Sequence, residues 1–202
     1  MRLFLLLGCL LFPAAASAAA VILVFGDSLS AAYGIPQQAG WVSLLQQRLE
    51  QEKIHYSVVN ASISGETTSG GLARLAPALQ QHRPAIVILE LGANDALRGL
   101  DPQAANANLA AMLKTCRERK VNVLLVGMRL PPNYGAPYTR QFEDSYRQLA
   151  SQFGVRLLPF LLEGFGANRE RFQADGLHPT AEAQAAVLEN VWRELKPLLA
   201  RQ

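Results

Sequence analysis

Five apolar residues in a row, Val21-Ile22-Leu23-Val24-Phe25, stop abruptly at Gly26-Asp27-Ser28-Leu29-Ser30. A short unbroken apolar run bounded by turn residues predicts a strand buried on both faces, as inside a parallel sheet. The pattern recurs along the chain. Residues 57–59 predict a second strand ending at Asn60, and 85–91 a third closed by Gly92-Ala93-Asn94-Asp95. Residues 121–126 predict a fourth ending at Gly127, and 155–158 a short fifth.

Helical periodicity fills the intervals. A helix opens at Gly40-Trp41, with Trp41, Leu44, Leu45 and Leu49 on one face. Leu72, Leu75 and Leu79 mark a second helix, where Pro77 predicts a bend or break. Pro102 suits the first turn of a third, running to about residue 120. Residues 138–153 and 179–199 predict two more, the last entered through Pro179. The segments 31–39, 61–71 and 159–176 read as loops, and 129–137, with three prolines, as a long exposed one. Strands alternating with helices predict a three-layer α/β/α sandwich around a five-stranded parallel sheet.

Composition changes this picture only at the N-terminus. Of 202 residues, half are hydrophobic and 17 % charged, which suits one soluble domain with a real core. The net charge of +3 comes without a basic stripe, so nothing supports nucleic-acid binding. Met1-Arg2, an apolar stretch to Phe12, Pro13 and then Ala14-Ala15-Ala16-Ser17-Ala18 have the layout of a secretory signal peptide. The expected division is a leader over 1–18 and a single domain over 19–202, periplasmic or secreted after cleavage. The apolar stretch falls short of the roughly 20 residues a crossing helix needs, so no stable membrane insertion is expected. Leu6-Leu7-Gly8-Cys9 resembles a lipoprotein box, but lipidation there leaves too short an apolar region. Cleavage would leave Cys116 as the one cysteine, read as a buried helix residue.

The chemistry gathers in the loops after strands. Ser28 follows the first strand, Gly65 the second and Asn94 the third, while Asp175 and His178 precede the last helix. Loops after neighbouring parallel strands converge on one sheet edge, so these residues can meet. A serine hydroxyl needs a base, a neutral imidazole is the usual one, and a carboxylate fixes its tautomer. The developing oxyanion needs donors placed in advance, which the amides of Ser28 and Gly65 and the side chain of Asn94 can supply. Each residue also has a plainer reading. Asp175-Gly176-Leu177-His178-Pro179 can be a helix entry, Asn94 a turn residue and Gly65 a flexible glycine. Asp27 is read as holding its turn through backbone N–H groups, and His55 and His82 as surface residues.

Gly-Asp-Ser-Leu-Ser at 26–30, Gly65, Gly92-Ala93-Asn94-Asp95 and Asp175-Gly176-Leu177-His178 stand in the order of the GDSL, or SGNH, hydrolases. The chain resembles that family over 19–202, and within it the small secreted TesA-type esterases of Gram-negative bacteria. The stretches 60–68 and 130–135 strengthen the closer match. The resemblance implies a flavodoxin-like SGNH hydrolase fold and no metal or organic cofactor. It also implies Ser28 as nucleophile, His178 as base, Asp175 as its partner, and Ser28, Gly65 and Asn94 as oxyanion hole. The Gly-x-Ser-x-Gly elbow of α/β-hydrolases is absent around Ser28.

By the same resemblance the loop after the fourth strand lies beside the acyl site. Leu130, Pro131, Pro132 and Tyr134 would form an apolar groove with Leu29, Phe160, Leu161, Leu162 and Phe165, although 158–162 can equally pack in the core. Gly127 and Gly135 are candidate hinges for a loop shift on acyl binding. The expected substrates are small acyl esters and thioesters, lysophospholipids among them, turned over by a monomer. A carbohydrate O-acetylesterase on the same fold, and a non-catalytic binding protein, are the alternatives.

Overall fold

In a computed structural model, which describes residues 19–199 (the side chain of Pro132 excepted), the five apolar runs form five strands. They are β1 (Ala20–Gly26), β2 (Tyr56–Asn60), β3 (Ile86–Glu90), β4 (Asn122–Val126) and β5 (Arg156–Leu158). The expected leader 1–18, Cys9 included, lies outside the described residues. All neighbouring pairs are parallel, in the order β2-β1-β3-β4-β5. Ile22 to Phe25 and Ile86 to Leu89 are fully buried, as strands covered on both faces must be.

Helices cover both faces. Helix α1 (Trp41–Gln51) packs on α6 (Gln184–Leu199) on one side, and α2 (Thr68–His82), α4 (Pro102–Glu118) and α5 (Ala136–Phe153) line up on the other. A short α3 (Ala93–Leu97) follows β3. The chain leaves β1 toward one edge of the sheet and returns past it to β3. The crevice between the carboxyl ends of β1 and β3 is therefore the switch point, where such sheets bind ligands. No described helix is long and apolar enough to cross a membrane.

The structure corrects four local expectations. Helix α2 runs unbroken through Pro77, whose ring faces solvent while Leu75, Ala78 and Leu79 on either side are buried. That buried face outweighs the hydrogen bond the proline forgoes. Helix α2 also starts at Thr68, inside the expected loop, because Thr67 Oγ1 accepts the Gly70 amide and caps it. Pro179 does not open the last helix. It pairs with Phe172 in an antiparallel bridge, and α6 begins only at Gln184. The loop after β4 is not wholly exposed either, since Met128 and Leu130 are buried and 132–134 close a 3-10 turn.

Candidate active site

Gly26 ends β1 and the chain turns at once, with Asp27 C=O accepting the amides of Ser30 (3.3 Å) and Ala31 (3.0 Å). Asp27 Oδ1 accepts the Leu29 amide at 3.0 Å, so the acid does hold the turn. Ser28 is thereby presented, half-buried, at the mouth of the crevice. The second strand's loop is tied to the same place, since the Ile63 amide donates to Gly26 C=O at 3.0 Å. Gly65 follows with φ +78°, a left-handed conformation open to glycine, and its C=O accepts from Arg98 at 2.9 Å. After β3, Gly92 turns the chain at φ +115° into α3, whose second residue is Asn94. Asn94 Nδ2 donates to Asp27 Oδ2 at 2.8 Å, which leaves its second N–H for another acceptor. Among the described residues the amides of Ser28 and Gly65 donate to no protein acceptor.

The last segment arrives from the far end of the chain. Gln173 N–H donates to His178 C=O (2.8 Å), and Gln173 Nε2 donates to Tyr33 C=O (2.8 Å) and Pro179 C=O (3.1 Å). These bonds clamp the 173–179 turn onto the loop after Ser28. Within the turn, Asp175 Oδ1 accepts the amides of Leu177 (2.8 Å) and His178 (3.0 Å). Its Oδ2 stands 2.6 Å from His178 Nδ1, and His178 Nε2 stands 2.8 Å from Ser28 Oγ. A carboxylate on Nδ1 keeps the proton there and Nε2 free to accept one. Partial burial would raise the Asp175 carboxyl, but the two amides and the His178 ring outweigh it and hold it down at about 2. The Tyr33 ring lies against the imidazole, with centroids 4.5 Å apart.

Beside Ser28 opens a cleft of about 900 Å³. Leu29, Leu130 and Pro131 line it, as do Leu97, Phe160, Leu162 and Phe165. Phe160 and Leu162 thus face the cleft, while Leu158 and Leu161 are fully buried core. Tyr134 is corrected: its hydroxyl donates to Leu97 C=O at 3.2 Å, and it does not line the cleft. The Pro132 side chain is outside the described residues. Gly127 is no hinge. A Cβ there would stand 2.6 Å from Pro159 O, and its N–H and C=O are tied to Leu158 (2.8 Å) and Leu161 (3.1 Å).

Two contributions escaped the sequence reading. The stretch 163–168 forms one wall of the cleft, and apart from Phe165, which was expected there, carries no pattern that announces it. Glu90 did leave a signal: an acid inside an apolar strand run cannot be solvated, and here it is completely buried. Cys116 is buried in α4, where burial pushes its thiol up to about 12. Of the other histidines, His55 is exposed and His82 half-buried. Among the described residues no group of three His, Cys, Asp or Glu could hold a metal ion.

Residues 24–186 match the GDSL-like lipase/acylhydrolase family. The chain is 50 % identical to the esterase TesA of Pseudomonas aeruginosa, over 98 % of this chain and 100 % of that one. It is 42 % identical to thioesterase 1/protease 1/lysophospholipase L1 of Escherichia coli K12, over 97 % and 92 %. A crystal structure of a TesA superposes with a TM-score of 0.86 at 51 % identity, covering 88 % of this chain and 99 % of that one.

Proposed function

The chain belongs to the GDSL-like lipase/acylhydrolase family and is a serine hydrolase acting on esters, and on that premise we propose that it cleaves fatty-acyl esters and thioesters through an acyl-enzyme on Ser28. The observation that supports this most directly is the unbroken relay from Asp175 through His178 to Ser28 Oγ at the mouth of an apolar cleft.

In this mechanism Ser28 Oγ attacks the acyl carbonyl while its proton passes to His178 Nε2. Asp175 stays ionised and stabilises the imidazolium; it does not itself take the proton. Negative charge moves onto the carbonyl oxygen, where the amides of Ser28 and Gly65 and the free N–H of Asn94 receive it. The bond to the leaving oxygen or sulfur then breaks, and Nε2 returns the proton to it. Water, deprotonated by the same imidazole, attacks the acyl-Ser28 ester, and Nε2 returns that proton to Ser28 Oγ as the bond to it breaks and the fatty acid is released.

The acyl chain lies along Leu97, Leu130, Pro131, Phe160, Leu162 and Phe165. The names of the two curated relatives make thioesters and lysophospholipids the natural extension from simple esters. The layout of 1–18 supports export to the periplasm or beyond, and the reading takes the protein as a monomer. The apolar cleft disfavours a carbohydrate O-acetylesterase, which needs a polar sugar site.

The experiment is kcat/KM for p-nitrophenyl esters from acetyl to palmitoyl, with Ser28→Ala as control. Each methylene buried in the cleft contributes about 0.8 kcal/mol, or about fourfold in kcat/KM. A rise to a medium- or long-chain maximum, lost in the variant, is the expected result. A sharp acetyl preference, or turnover that survives Ser28→Ala, overturns the proposal.

A further inference from the structure

Glu90 is the last residue of β3, and none of its surface reaches solvent. Its partner across the sheet is Gly26, where a Cβ would stand 2.6 Å from Glu90 Oε2 and 2.9 Å from Ser30 Oγ. A glycine at that position lets the carboxyl lie directly beneath the turn that carries Ser28. Oε2 accepts the Asp27 amide at 3.2 Å and the Ser30 hydroxyl at 2.8 Å. Oε1 accepts from no N–H or hydroxyl among the described residues, and the Asp27 carboxyl is the remaining side-chain hydrogen-bond partner of Glu90. Nor does any described Lys, Arg or His pair with this acid.

Two carboxyl groups this close, away from water, do not both ionise. Asp27 occupies the better anion site, with the Leu29 amide at 3.0 Å and the Asn94 amide at 2.8 Å. Burial still raises it to about 6, against the pull of those two bonds and of the His178 charge. Burial and then the adjacent Asp27 charge raise Glu90 well above the usual carboxylate range. The remaining ionisable neighbours reinforce the assignment. Tyr146 from α5 donates to Leu91 C=O at 2.8 Å, and its hydroxyl is kept neutral by burial first and then by the neighbouring acids. Asp95 from α3 is engaged by the Thr68 amide (2.8 Å) and hydroxyl (2.6 Å). None of these is a cation that could hold Glu90 ionised.

We propose that Glu90 is a positioning residue for the oxyanion hole: a buried carboxylic acid that fixes the Ser28 turn from below and leaves Asp27 as the one carboxylate orienting the Asn94 amide. An ionised Glu90 would drive the proton onto Asp27. Asp27 would then offer a hydroxyl as well as an acceptor, and the Asn94 amide would lose the contact that keeps its Nδ2 side toward the reacting carbonyl.

The kinetic half of this inference rests on the esterase reading; the protonation half does not. Unfolded Glu90 is ionised above its free value of 4.5, so folding of the wild type takes up one proton there while E90Q takes up none. Wild-type stability must therefore fall relative to E90Q as pH rises. Above the Asp27 value of about 6, Asp27 is ionised in both proteins and the difference belongs to Glu90. The test is Tm of wild type and E90Q from about pH 7 to about pH 9, with kcat and KM for a p-nitrophenyl ester at about pH 8. The expected Tm difference in favour of E90Q widens steadily with pH, and E90Q keeps kcat within about threefold. E90L, which cannot bond the Asp27 amide or Ser30, lowers kcat by about tenfold or more with KM within about twofold. A pH-independent Tm difference overturns the proposal, as does an E90L enzyme with wild-type kcat. So does an E90Q enzyme as inactive as Ser28→Ala, which remains readable if E90L fails to fold. If no variant, wild type included, shows Ser28-dependent turnover, the esterase reading has failed, and the Tm slope still decides the protonation of Glu90.

Discussion

Replacing Asn94 by alanine separates transition-state stabilisation from substrate binding. In the proposed mechanism the side chain supplies one of three oxyanion donors, and loss of a single such donor costs about 2.7–4 kcal/mol, or about 10²–10³ in kcat. The amides of Ser28 and Gly65 remain, so activity should persist above that of Ser28→Ala. In the same mechanism the ground-state acyl chain is bound in the cleft rather than by Asn94, so KM should move little. A second effect follows from the 2.8 Å bond to Asp27. Its removal leaves a buried carboxylate short of a donor, at a cost of about 1–3 kcal/mol. For a chain of this size that lowers Tm by about 2–12 °C. The stability loss applies to the charged carboxyl, so it should open as pH rises through the Asp27 value of about 6 and close in more acid solution. The assay is kcat and KM on p-nitrophenyl esters, with calorimetric Tm from about pH 5 to about pH 8. A kcat within about threefold of wild type, or a loss expressed only in KM, would refute the role assigned to Asn94.

Asp175→Asn keeps an oxygen for the Leu177 and His178 amides but can set the wrong imidazole tautomer, so kcat should fall by up to about 10⁴-fold, with Tm lowered at neutral pH. The Asp175 carboxyl lies at about 2 against 3.8 when free, so its contribution to stability is present above 3.8 and lost as pH falls toward 2. Acid titration of Tm should accordingly be shallower below about pH 4 in Asp175→Asn; an identical slope would count against the assignment. Leu162→Trp should shift the chain-length maximum to shorter acyl groups, each excluded methylene lowering kcat/KM by about fourfold. An unchanged ester profile would place the acyl chain elsewhere.

Some of the architecture was legible because it depends on local patterns. Unbroken apolar runs such as 21–25 and 85–89 can be buried only on both faces, which commits the chain to a parallel sheet between helices. The turn at Gly26 and the tight Asp175–His178 spacing are local as well, and both are found as the residue types imply. Pro77 misled for the opposite reason. A proline's local penalty is visible in sequence, whereas the buried face that overrides it belongs to the packing of α2. The helix entry expected at Pro179 failed similarly, because a bridge to Phe172 holds that proline in extended conformation.

By itself the sequence determined the fold class, the family and the set of polar residues available for acyl transfer, because each is carried by residue type and short-range spacing. Tertiary structure decided what distance along the chain conceals. It brought His178 to 2.8 Å from Ser28 across 150 residues, divided 158–162 between core and cleft, and withdrew Tyr134 from the groove. It also put Glu90 under Asp27, so that two acids 63 residues apart in sequence meet away from water. Such contacts depend on strand order and on loops converging at one sheet edge, a geometry that no local stretch of sequence contains.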